Sequence, residues 1–240
     1  MVLLVRNWAG RNLMWVEVNE RFTHMAAGST NAGQGSGDTF QIERDLLAAK
    51  AAAEEGRTIV LVEGFSDKAA IDALAKRQGR NLRDEGITII AIGGATKIWG
   101  FLDKLGPLGL DTKLAGLCDI GEERHFRRAL QRAGFGLNLS RSDMETLGFY
   151  ICDADLEDEL IRSLGADTML EVIAAQGDLG RFHLFRRQPE WQEESHHAQL
   201  RRWLGTTAHR KISYAKLVVD ALDLDRVPVP LERLLAHIAS

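Results

Sequence analysis

Several features that mark secreted, membrane-bound or ATP-hydrolysing proteins are scarce or missing in these 240 residues. The two cysteines, Cys118 and Cys152, each lie in an apolar run, so we interpret them as reduced and buried, not as a disulfide or metal pair. No stretch reaches the roughly 18 apolar residues of a membrane span, and Arg6 interrupts the apolar start before a signal-peptide core is complete. No Gly-x-x-x-x-Gly-Lys-Ser/Thr motif occurs, which excludes a phosphate-loop ATPase. We expect a cytoplasmic protein with no membrane partner.

An excess of positive charge is also missing, because the formal net charge is −4. The charges are nevertheless unevenly distributed. Residues 143–178 contain ten acids and one base, whereas residues 181–216 contain eight Lys and Arg against three acids. An acidic segment before a basic one is expected of a metal site beside a phosphate-binding surface, although two solvated helix faces would give the same pattern.

The first 40 residues differ from the rest in composition. Residues 1–24 have a weak strand-like pattern, and residues 26–40 are rich in Gly, Ser and Asn, which is typical of a flexible linker. Strong helix formers follow over residues 41–56. We therefore predict an N-terminal extension and linker over residues 1–40.

Apolar runs and helical patterns alternate over the next part of the chain, residues 41–165. The runs lie at 58–62, 87–92, 113–118 and 148–152, and helices are predicted at about 66–78 and 97–105 and after Asp119 and Asp153. Strands that are apolar on both faces and separated by helices predict a mainly parallel sheet with right-handed crossovers. The fold class is therefore α/β, a mainly parallel sheet flanked by helices, followed by a small C-terminal helical subdomain over residues 166–240.

Acids follow three of the predicted strands. Glu63 ends the first strand, Asp119 the third, and Asp153 or Asp155 the fourth. Ligands of parallel sheets bind beyond the carboxyl ends of the strands, where these side chains converge. Like charges gathered in one cleft repel each other unless protons or cations neutralise them. Because the ligands are all oxygen, the pattern favours Mg²⁺ or Mn²⁺ over zinc.

Aromatic side chains recur at helical spacing in the basic C-terminal segment. They are Phe182, Phe185, Trp191 and Trp203. Aromatics interleaved with arginines can stack on nucleic-acid bases. The spacing is more typical of the core of a small helical subdomain, which is the interpretation we favour.

Two motifs resemble a known family. The segment TIVLVEGFSD, residues 58–67, resembles the first motif of the Toprim domain, the metal-binding α/β module of topoisomerases, bacterial primases and OLD (overcoming lysogenization defect) nucleases. The OLD branch is most similar, because it has an acid four residues after the glutamate, here Asp67, and a segment like DLEDEL at 155–160. The resemblance covers about residues 57–235. It implies a nuclease without the ATPase domain that many OLD proteins carry.

The resemblance implies metal-dependent hydrolysis of phosphodiester bonds with two cations. One cation would be held by Glu63, Asp67 and Asp119, and the second by Asp155 and Glu157. An alternative is that Asp155 and Glu157 stabilise the start of a helix as capping and dipole-compensating acids.

The resemblance also implies roles for basic residues. Lys211, in a helix after a small basic run, would act with Glu63 in catalysis by neutralising charge on the scissile phosphate. Alternatively, Lys211 contacts only the nucleic-acid backbone. Arg201, Arg202 and Arg210 are predicted to bind nucleic acid together with Lys211.

One departure from the family pattern leaves two other functions open. The expected Asp-x-Asp after the third strand is Asp119-Ile120-Gly121, so the second aspartate is missing. Glu122 and Glu123 are the nearest substitutes. The chain is therefore either a DNA endonuclease or nickase, or a Toprim module that binds nucleic acid or a protein without cleavage. A phosphatase or phospho-acceptor domain built on Asp119 is a further alternative.

The implied partners follow from the same resemblance. DNA is the expected substrate, with RNA as the alternative. Since the chain contains no ATPase motif, an ATPase partner would act in trans. Homo-oligomerisation is left open by the sequence.

Overall fold

The computed structural model describes the backbone of residues 2–6, 13–17 and 34–239, and the side chains of residues 41–239. Two compact units are formed, Met1–Asp38 and Thr39–Ser240. The predicted division of the chain at residue 165 stays a prediction.

In the first unit, strands β1 (Val2–Arg6) and β2 (Leu13–Glu17) pair in antiparallel orientation. Both fall within the strand-like pattern predicted for residues 1–24. Residues 26–33 of the predicted linker lie outside the described residues. Its last part was predicted wrongly, because helix α1 (Gln34–Glu54) begins at Gln34 and not at residue 41. The strong helix formers that follow explain this, since extending an existing helix costs far less than nucleating one.

Four parallel strands form the sheet of the second unit, in the order β4-β3-β5-β6. Their bounds are β3 Thr58–Val62, β4 Ile87–Ala91, β5 Leu114–Asp119 and β6 Phe149–Cys152. The predicted fold class is confirmed. Gly116 allows β5 to lie close to its neighbours, because a Cβ there would stand 2.7 Å from the Phe149 ring and 2.9 Å from the Leu61 carbonyl oxygen.

Helices connect the strands and continue after the sheet. Those between the strands are α2 Phe65–Arg77, α3 Ile98–Leu105, α4 Glu123–Arg132 and α5 Arg141–Thr146. Those after the sheet are α6 Leu156–Leu164, α7 Ala166–Ala175, α8 Leu179–Arg186, α9 His196–Leu204, α10 Ala208–Ala221 and α11 Val229–His237. The short helix α5 was not expected, and its start is capped by Ser140, whose hydroxyl accepts from the Asp143 N–H.

The sheet is covered on both faces, as strands with two apolar faces require. Val60 and Val62 contribute to one core together with α2, α6, α10 and α11. Ile59 and Leu61 point to the opposite face and pack with α1, α3 and α4. Because side chains alternate along a strand, β3 divides its residues between the two cores.

The C-terminal helices share the first of these cores with the sheet. Phe182 and Trp203 are almost fully buried there, with ring centroids 5.4 Å apart in an edge-to-face arrangement. Both are therefore core residues, as favoured from the sequence. Helix α10 packs along α2, and Arg77 at the end of α2 donates to the carbonyl oxygens of Val219 (2.7 Å) and Leu222 (2.5 Å). This arginine closes the carboxyl end of α10.

Two smaller differences concern element ends. Helix α2 begins at Phe65 with Gly64 as its N-cap, one residue before the predicted start at residue 66. Strand β5 includes Asp119, which was expected just beyond it.

None of the described helices is long and apolar enough to cross a membrane. The cytoplasmic location stays a prediction.

Candidate functional site

Glu63 follows β3 directly. Its carbonyl oxygen accepts hydrogen bonds from the N–H groups of Gly93 and Gly94, both at 3.1 Å, which ties the end of β3 to the loop after β4. The side chain is half-buried, and its Oε2 atom is buried with no hydrogen-bond partner among the described residues. Burial, followed by the charges of Asp119 and Glu122, raises the pKa of Glu63 to about 7.

Asp67 is the third residue of α2 and is buried. Its carboxylate accepts a hydrogen bond from the Gly64 N–H at 2.7 Å, so this side chain holds the turn between β3 and α2. Burial raises the pKa of Asp67 to about 7, and the hydrogen bond from Gly64 and the charge of Lys211 oppose this shift. Asp67 therefore has a structural role at the helix start, and its role as a metal ligand stays a prediction.

Asp119 is the last residue of β5, the strand next to β3. The side chain is half-buried. Burial, followed by the charges of Asp67 and Asp155, raises the pKa of Asp119 to about 7. Its protonation is thus coupled to acids that come from two other segments of the chain.

These three acids meet in a cleft of about 290 Å³, which we call the first cleft. The residues that line it are Glu63, Gly64, Phe65, Ser66, Asp67, Gly93, Gly94, Asp119, Ala208, Lys211 and Ile212. The grouping of Glu63, Asp67 and Asp119 agrees with the set that the resemblance assigned to one cation. The contributions of Phe65 and of the two glycines were not predicted, although Gly93-Gly94 directly follows the β4 run.

Lys211 comes from α10 and reaches the same cleft. Its Nζ atom lies 3.2 Å from Oε2 of Glu157, near the start of α6. Burial alone would lower the pKa of Lys211, but the charges of Glu157, Asp67 and Asp119 outweigh it and raise the pKa. Burial also raises the pKa of Glu157 in spite of this lysine, and its Oε1 atom has no hydrogen-bond partner among the described residues.

A second cleft of about 390 Å³ lies on the other side of this pair. The residues that line it are Asp155, Glu157, Trp191, Ala198, Arg201, Arg202, Gly205 and Lys211. Lys211 is therefore common to both clefts. Asp155 and Glu157, predicted as ligands of a second cation, lie together in the second cleft.

Asp155 has structural partners for both of its oxygen atoms. Oδ1 accepts from the Asp158 N–H at 2.8 Å, which caps α6, and Oδ2 accepts from the Arg201 guanidinium at 2.8 Å. The capping role considered from the sequence is thus present. Its role as a metal ligand stays a prediction, and it requires Arg201 to move away.

The arginines predicted to bind nucleic acid also have partners within the protein. Besides the Arg201 pair with Asp155, the Arg202 guanidinium lies 5.9 Å from the Trp191 ring centre. The Arg210 guanidinium lies 4.1 Å above the Trp203 ring and donates to the Trp203 carbonyl oxygen and to the Thr206 hydroxyl. These contacts within the protein therefore orient the arginine side chains independently of any contact with nucleic acid.

Gly121, where an aspartate was expected, is exposed in the turn after β5. A Cβ atom added there would meet nothing within 4 Å, so a side chain fits. Glu122 is close enough to raise the pKa of Glu63, whereas Glu123 is engaged by Arg127 and by Arg141 at 2.5 Å. Neither of the two substitutes lines the first cleft, and the Glu122 carboxylate lies 3.7 Å from His125 Nε2.

Asp153, the alternative to Asp155 at the end of β6, is exposed. Its carboxylate lies 3.8 Å from both Arg141 and Arg162. Asp153 lines neither of the two clefts.

The donor set fits divalent cations that prefer oxygen. Two buried carboxylate oxygens, Glu63 Oε2 and Glu157 Oε1, have no partner among residues 41–239, one in each cleft. Within the same part of the chain, no three acids, histidines or cysteines are close enough to form a complete site unaided. A cation there would therefore use few protein ligands and complete its coordination with water or substrate oxygens, as Mg²⁺ commonly does.

Comparison with known proteins agrees with the resemblance. Residues 56–120 match the model of the TOPRIM domain described as "overcoming lysogenization defect protein-like". The C-terminal region of the Burkholderia pseudomallei OLD protein aligns with 77% of this chain and 97% of its own length, at 20% identity and a TM-score of 0.58. The corresponding region of the Xanthomonas campestris pv. campestris OLD protein aligns with 78% of this chain and 94% of its own length, at 24% identity and a TM-score of 0.59. No curated protein sequence matches significantly.

Proposed function

From the premise that residues 56–120 are an OLD-like TOPRIM domain, we propose that the chain is a Mg²⁺-dependent nuclease. It cleaves phosphodiester bonds of DNA as an endonuclease or nickase, with Mn²⁺ as an alternative cation and RNA as the alternative substrate. The reaction is hydrolysis with water as the nucleophile.

One observation carries this proposal. Glu63, Asp67 and Asp119 come from three separate segments, share one cleft, and have pKa values raised to about 7. Ionising these acids is costly in the absence of a ligand, first because burial disfavours each charged carboxylate and then because the charges repel one another. A bound cation would offset both costs.

The carboxylates would divide between two cations. Glu63, Asp67 and Asp119 would supply ligands of the first, and Glu157 with Asp155 those of the second, with side-chain movement bringing each set together and water completing the coordination. Bound divalent cations supply an activated water and stabilise the leaving oxygen of the scissile phosphate. Exchange of Arg201 for a cation at Asp155 would accompany occupation of the second cleft.

Lys211 would act on the phosphate directly. Its ammonium lies between the two clefts, 3.2 Å from Glu157, and its raised pKa keeps it charged. It would donate hydrogen bonds to a non-bridging oxygen and neutralise charge that develops during the displacement. Glu63, when ionised, would hold the first cation beside that phosphate.

The test is nicking of supercoiled plasmid DNA in Mg²⁺, Mn²⁺ or EDTA. The variants are Glu63→Ala and Lys211→Ala, with Lys216→Ala as a matched control. Lys216 lies in the same helix as Lys211 but is exposed and pairs with Asp220 at 2.5 Å. We expect metal-dependent nicking that falls about 100- to 1000-fold in Lys211→Ala and at least as much in Glu63→Ala.

The control should retain activity within about threefold, because surface ion pairs contribute little to stability. Nicking that persists in EDTA, or that survives both cleft substitutions, would contradict the proposal. Purified variants should first be compared by thermal unfolding, so that loss of fold is separated from loss of chemistry.

A second candidate is a module that binds nucleic acid or a protein without cleaving DNA. The observations that favour it are Gly121 in place of the second aspartate and the Arg201 guanidinium on Asp155. DNA retention in a gel-shift assay, without nicking in any cation, would support this alternative. Activity on a chromogenic phosphate ester without DNA cleavage would instead support the phosphatase alternative.

The sequence contains no phosphate-loop motif. We propose that any coupling to ATP hydrolysis occurs through an ATPase partner in trans. Self-association of the chain is compatible with this arrangement.

A further inference from the structure

A third cleft, outside the two that contain the acids, lies between α8, α9 and the turn that joins them. Its volume is about 380 Å³. The residues that line it are His183, Arg186, Arg187, Gln192 and Gln199. No acid lines it, which distinguishes it from the two clefts described above.

Two polar atoms of this third cleft have no partner among the described residues. Gln199 is 2% exposed, and its Oε1 atom accepts no hydrogen bond although its Nε2 atom donates to the Trp191 carbonyl oxygen at 2.6 Å. The Nε atom of Arg186 is likewise buried and donates to nothing. Buried polar atoms without partners are rare in native proteins, and a ligand is one of the standard explanations.

The positive charge of the third cleft is not neutralised within the described part of the chain. Arg186 contacts His196 at 2.6 Å and lies 5.6 Å from the Phe182 ring, but neither Arg186 nor Arg187 forms an ion pair with a carboxylate of residues 41–239. By contrast, Arg181 in the same helix binds Asp178 at 2.8 Å. Unpaired guanidinium groups around a concave surface favour an anion, above all a phosphate.

The two unpartnered atoms constrain the ligand. Arg186 Nε is a donor and suits a phosphate oxygen. Gln199 Oε1 is an acceptor and needs a donor such as a base amino group, a sugar hydroxyl or the P–OH group of free phosphate. A nucleotide and free phosphate therefore share the chemistry that this cleft binds, and the proposed function favours the nucleotide.

We propose that the third cleft binds one nucleotide of a nucleic-acid strand, with its phosphate on Arg186 and Arg187 and its base or sugar on Gln199. This inference rests on the proposed function, since it assigns a second contact to the same substrate. Helix α9 lines both the third cleft, through Gln199, and the second cleft, through Arg201 and Arg202, so the two clefts adjoin the same helix.

The test is fluorescence anisotropy of a fluorescein-labelled single-stranded DNA and its duplex, measured in EDTA so that cleavage plays no part. The variant Arg186→Gln/Arg187→Gln is compared with Arg181→Gln/Arg233→Gln, which removes the same charge. Both control arginines are exposed and ion-paired, Arg233 with Glu145 at 2.8 Å. If one of the cleft substitutions prevents folding, Arg187→Gln alone suffices, because this side chain is exposed.

The cleft variant should bind about tenfold more weakly at 0.1 M salt, and the slope of log K against log salt should fall by about 1 to 2. The control should keep the wild-type slope. Equal losses in both variants, or no loss in the cleft variant, would overturn the proposal.

A second experiment tests inorganic phosphate as the ligand of the third cleft. If millimolar phosphate raises the melting temperature of the wild type above a chloride control while both variants bind DNA equally, the cleft binds free phosphate and the nucleic-acid assignment is wrong. The binding assay does not measure nicking, so its result can be interpreted even if the protein does not cleave DNA. In that case, a reduced salt slope in the cleft variant alone would still support nucleotide binding by the third cleft, and only the nuclease proposal would be wrong.

Discussion

The first cleft and the amino end of α6 carry acids at the same edge of the sheet, yet their environments are opposite. Along α6, Arg162 binds Asp158 at 2.7 Å and Glu159 at 2.8 Å, and His197 binds Asp158 at 2.6 Å. Burial would raise the pKa of Asp158, but His197 and Arg162 outweigh it and hold the pKa below its ordinary value.

In the first cleft, Lys211 is the only basic residue, among those that the structure describes, in contact with the space between three acids. Their pKa values rise to about 7. A high density of acids therefore does not itself identify a site. The two regions differ in burial and in the supply of opposite charge. Arg162 and His197 neutralise acids along α6, whereas burial raises the pKa values in the first cleft and Lys211 is the only base among the described residues that line it.

The largest expected effect comes from exchanging one acid in each region for its amide. Asp119→Asn should reduce nicking by about 100-fold or more, because loss of even an outer-shell partner of a metal costs 10- to 100-fold. Asp158→Asn should leave nicking within about threefold but lower the free energy of unfolding by about 1.5–3 kcal/mol, because hydrogen bonds to charged groups are lost. Plasmid nicking measures the loss of activity in both variants, and urea unfolding measures their loss of stability. Equal effects of the two substitutions on activity would erase the distinction between the regions.

The second prediction concerns pH. The pKa values of Glu63, Asp67 and Asp119 are raised in the folded state above their ordinary values, so the folded protein binds more protons than the unfolded chain between about pH 4 and 7. The stabilisation is present below pH 4 and is lost as pH rises through 7. In EDTA, the ionisation of these three acids should lower the free energy of unfolding by on the order of a few kcal/mol between pH 5 and 8.

Mg²⁺ should reverse that loss more strongly at pH 8 than at pH 5, because ligands have to be ionised to bind it. Urea unfolding at both pH values with and without Mg²⁺ measures this. Asp119→Asn is the control, and its pH dependence in EDTA should be weaker. A wild-type protein that becomes more stable from pH 5 to 8 in EDTA would contradict the raised pKa values.

A third prediction restores the missing acid. Gly121→Asp places a carboxylate where a Cβ meets nothing within 4 Å, so the fold should tolerate it. We expect Mg²⁺-dependent nicking to increase by about tenfold, equivalent to about 1.4 kcal/mol of transition-state stabilisation. Gly121→Asn is the matched control, since it has the same size without the charge. The same increase in both variants would show that the carboxylate is not responsible.

The smallest expected effect concerns Arg201, the basic residue that pairs with Asp155 in the second cleft. Arg201→Gln removes the partner of Asp155 while leaving the cap on Asp158 N–H in place. The free energy of unfolding should fall by only about 0.2–1 kcal/mol, because the pair is partly exposed. The concentration of Mg²⁺ required for half-maximal nicking should fall if Asp155 is a ligand. An unchanged Mg²⁺ requirement would limit the metal ligands of the second cleft to Glu157.

The positions of the acids could be predicted because strand ends of a parallel sheet lie at one edge, and the apolar runs before Glu63 and Asp119 identify those ends. The partners of the charged residues could not. Nothing near Asp155 in the sequence indicates that Arg201 binds it, since this pair depends on how α9 packs against α6. The same holds for Arg210 on Trp203 and for the two unpartnered atoms of the third cleft.

The start of α1 was missed for a different reason. Gly and Ser near residue 34 favour a linker locally, and the helix that follows overrides this preference. Local composition is reliable only where no neighbouring element extends into the segment.

The contact of Arg77 with the end of α10 has a mechanical consequence for the first cleft. Helix α2 carries Asp67 at one end and Arg77 at the other, and Arg77 holds the far end of the helix that carries Lys211. Helices α2 and α10 are therefore joined by hydrogen bonds at the end opposite to the first cleft. A shift of one helix along the other would break these hydrogen bonds, so the contact opposes changes in the spacing between the Asp67 carboxylate and the Lys211 ammonium.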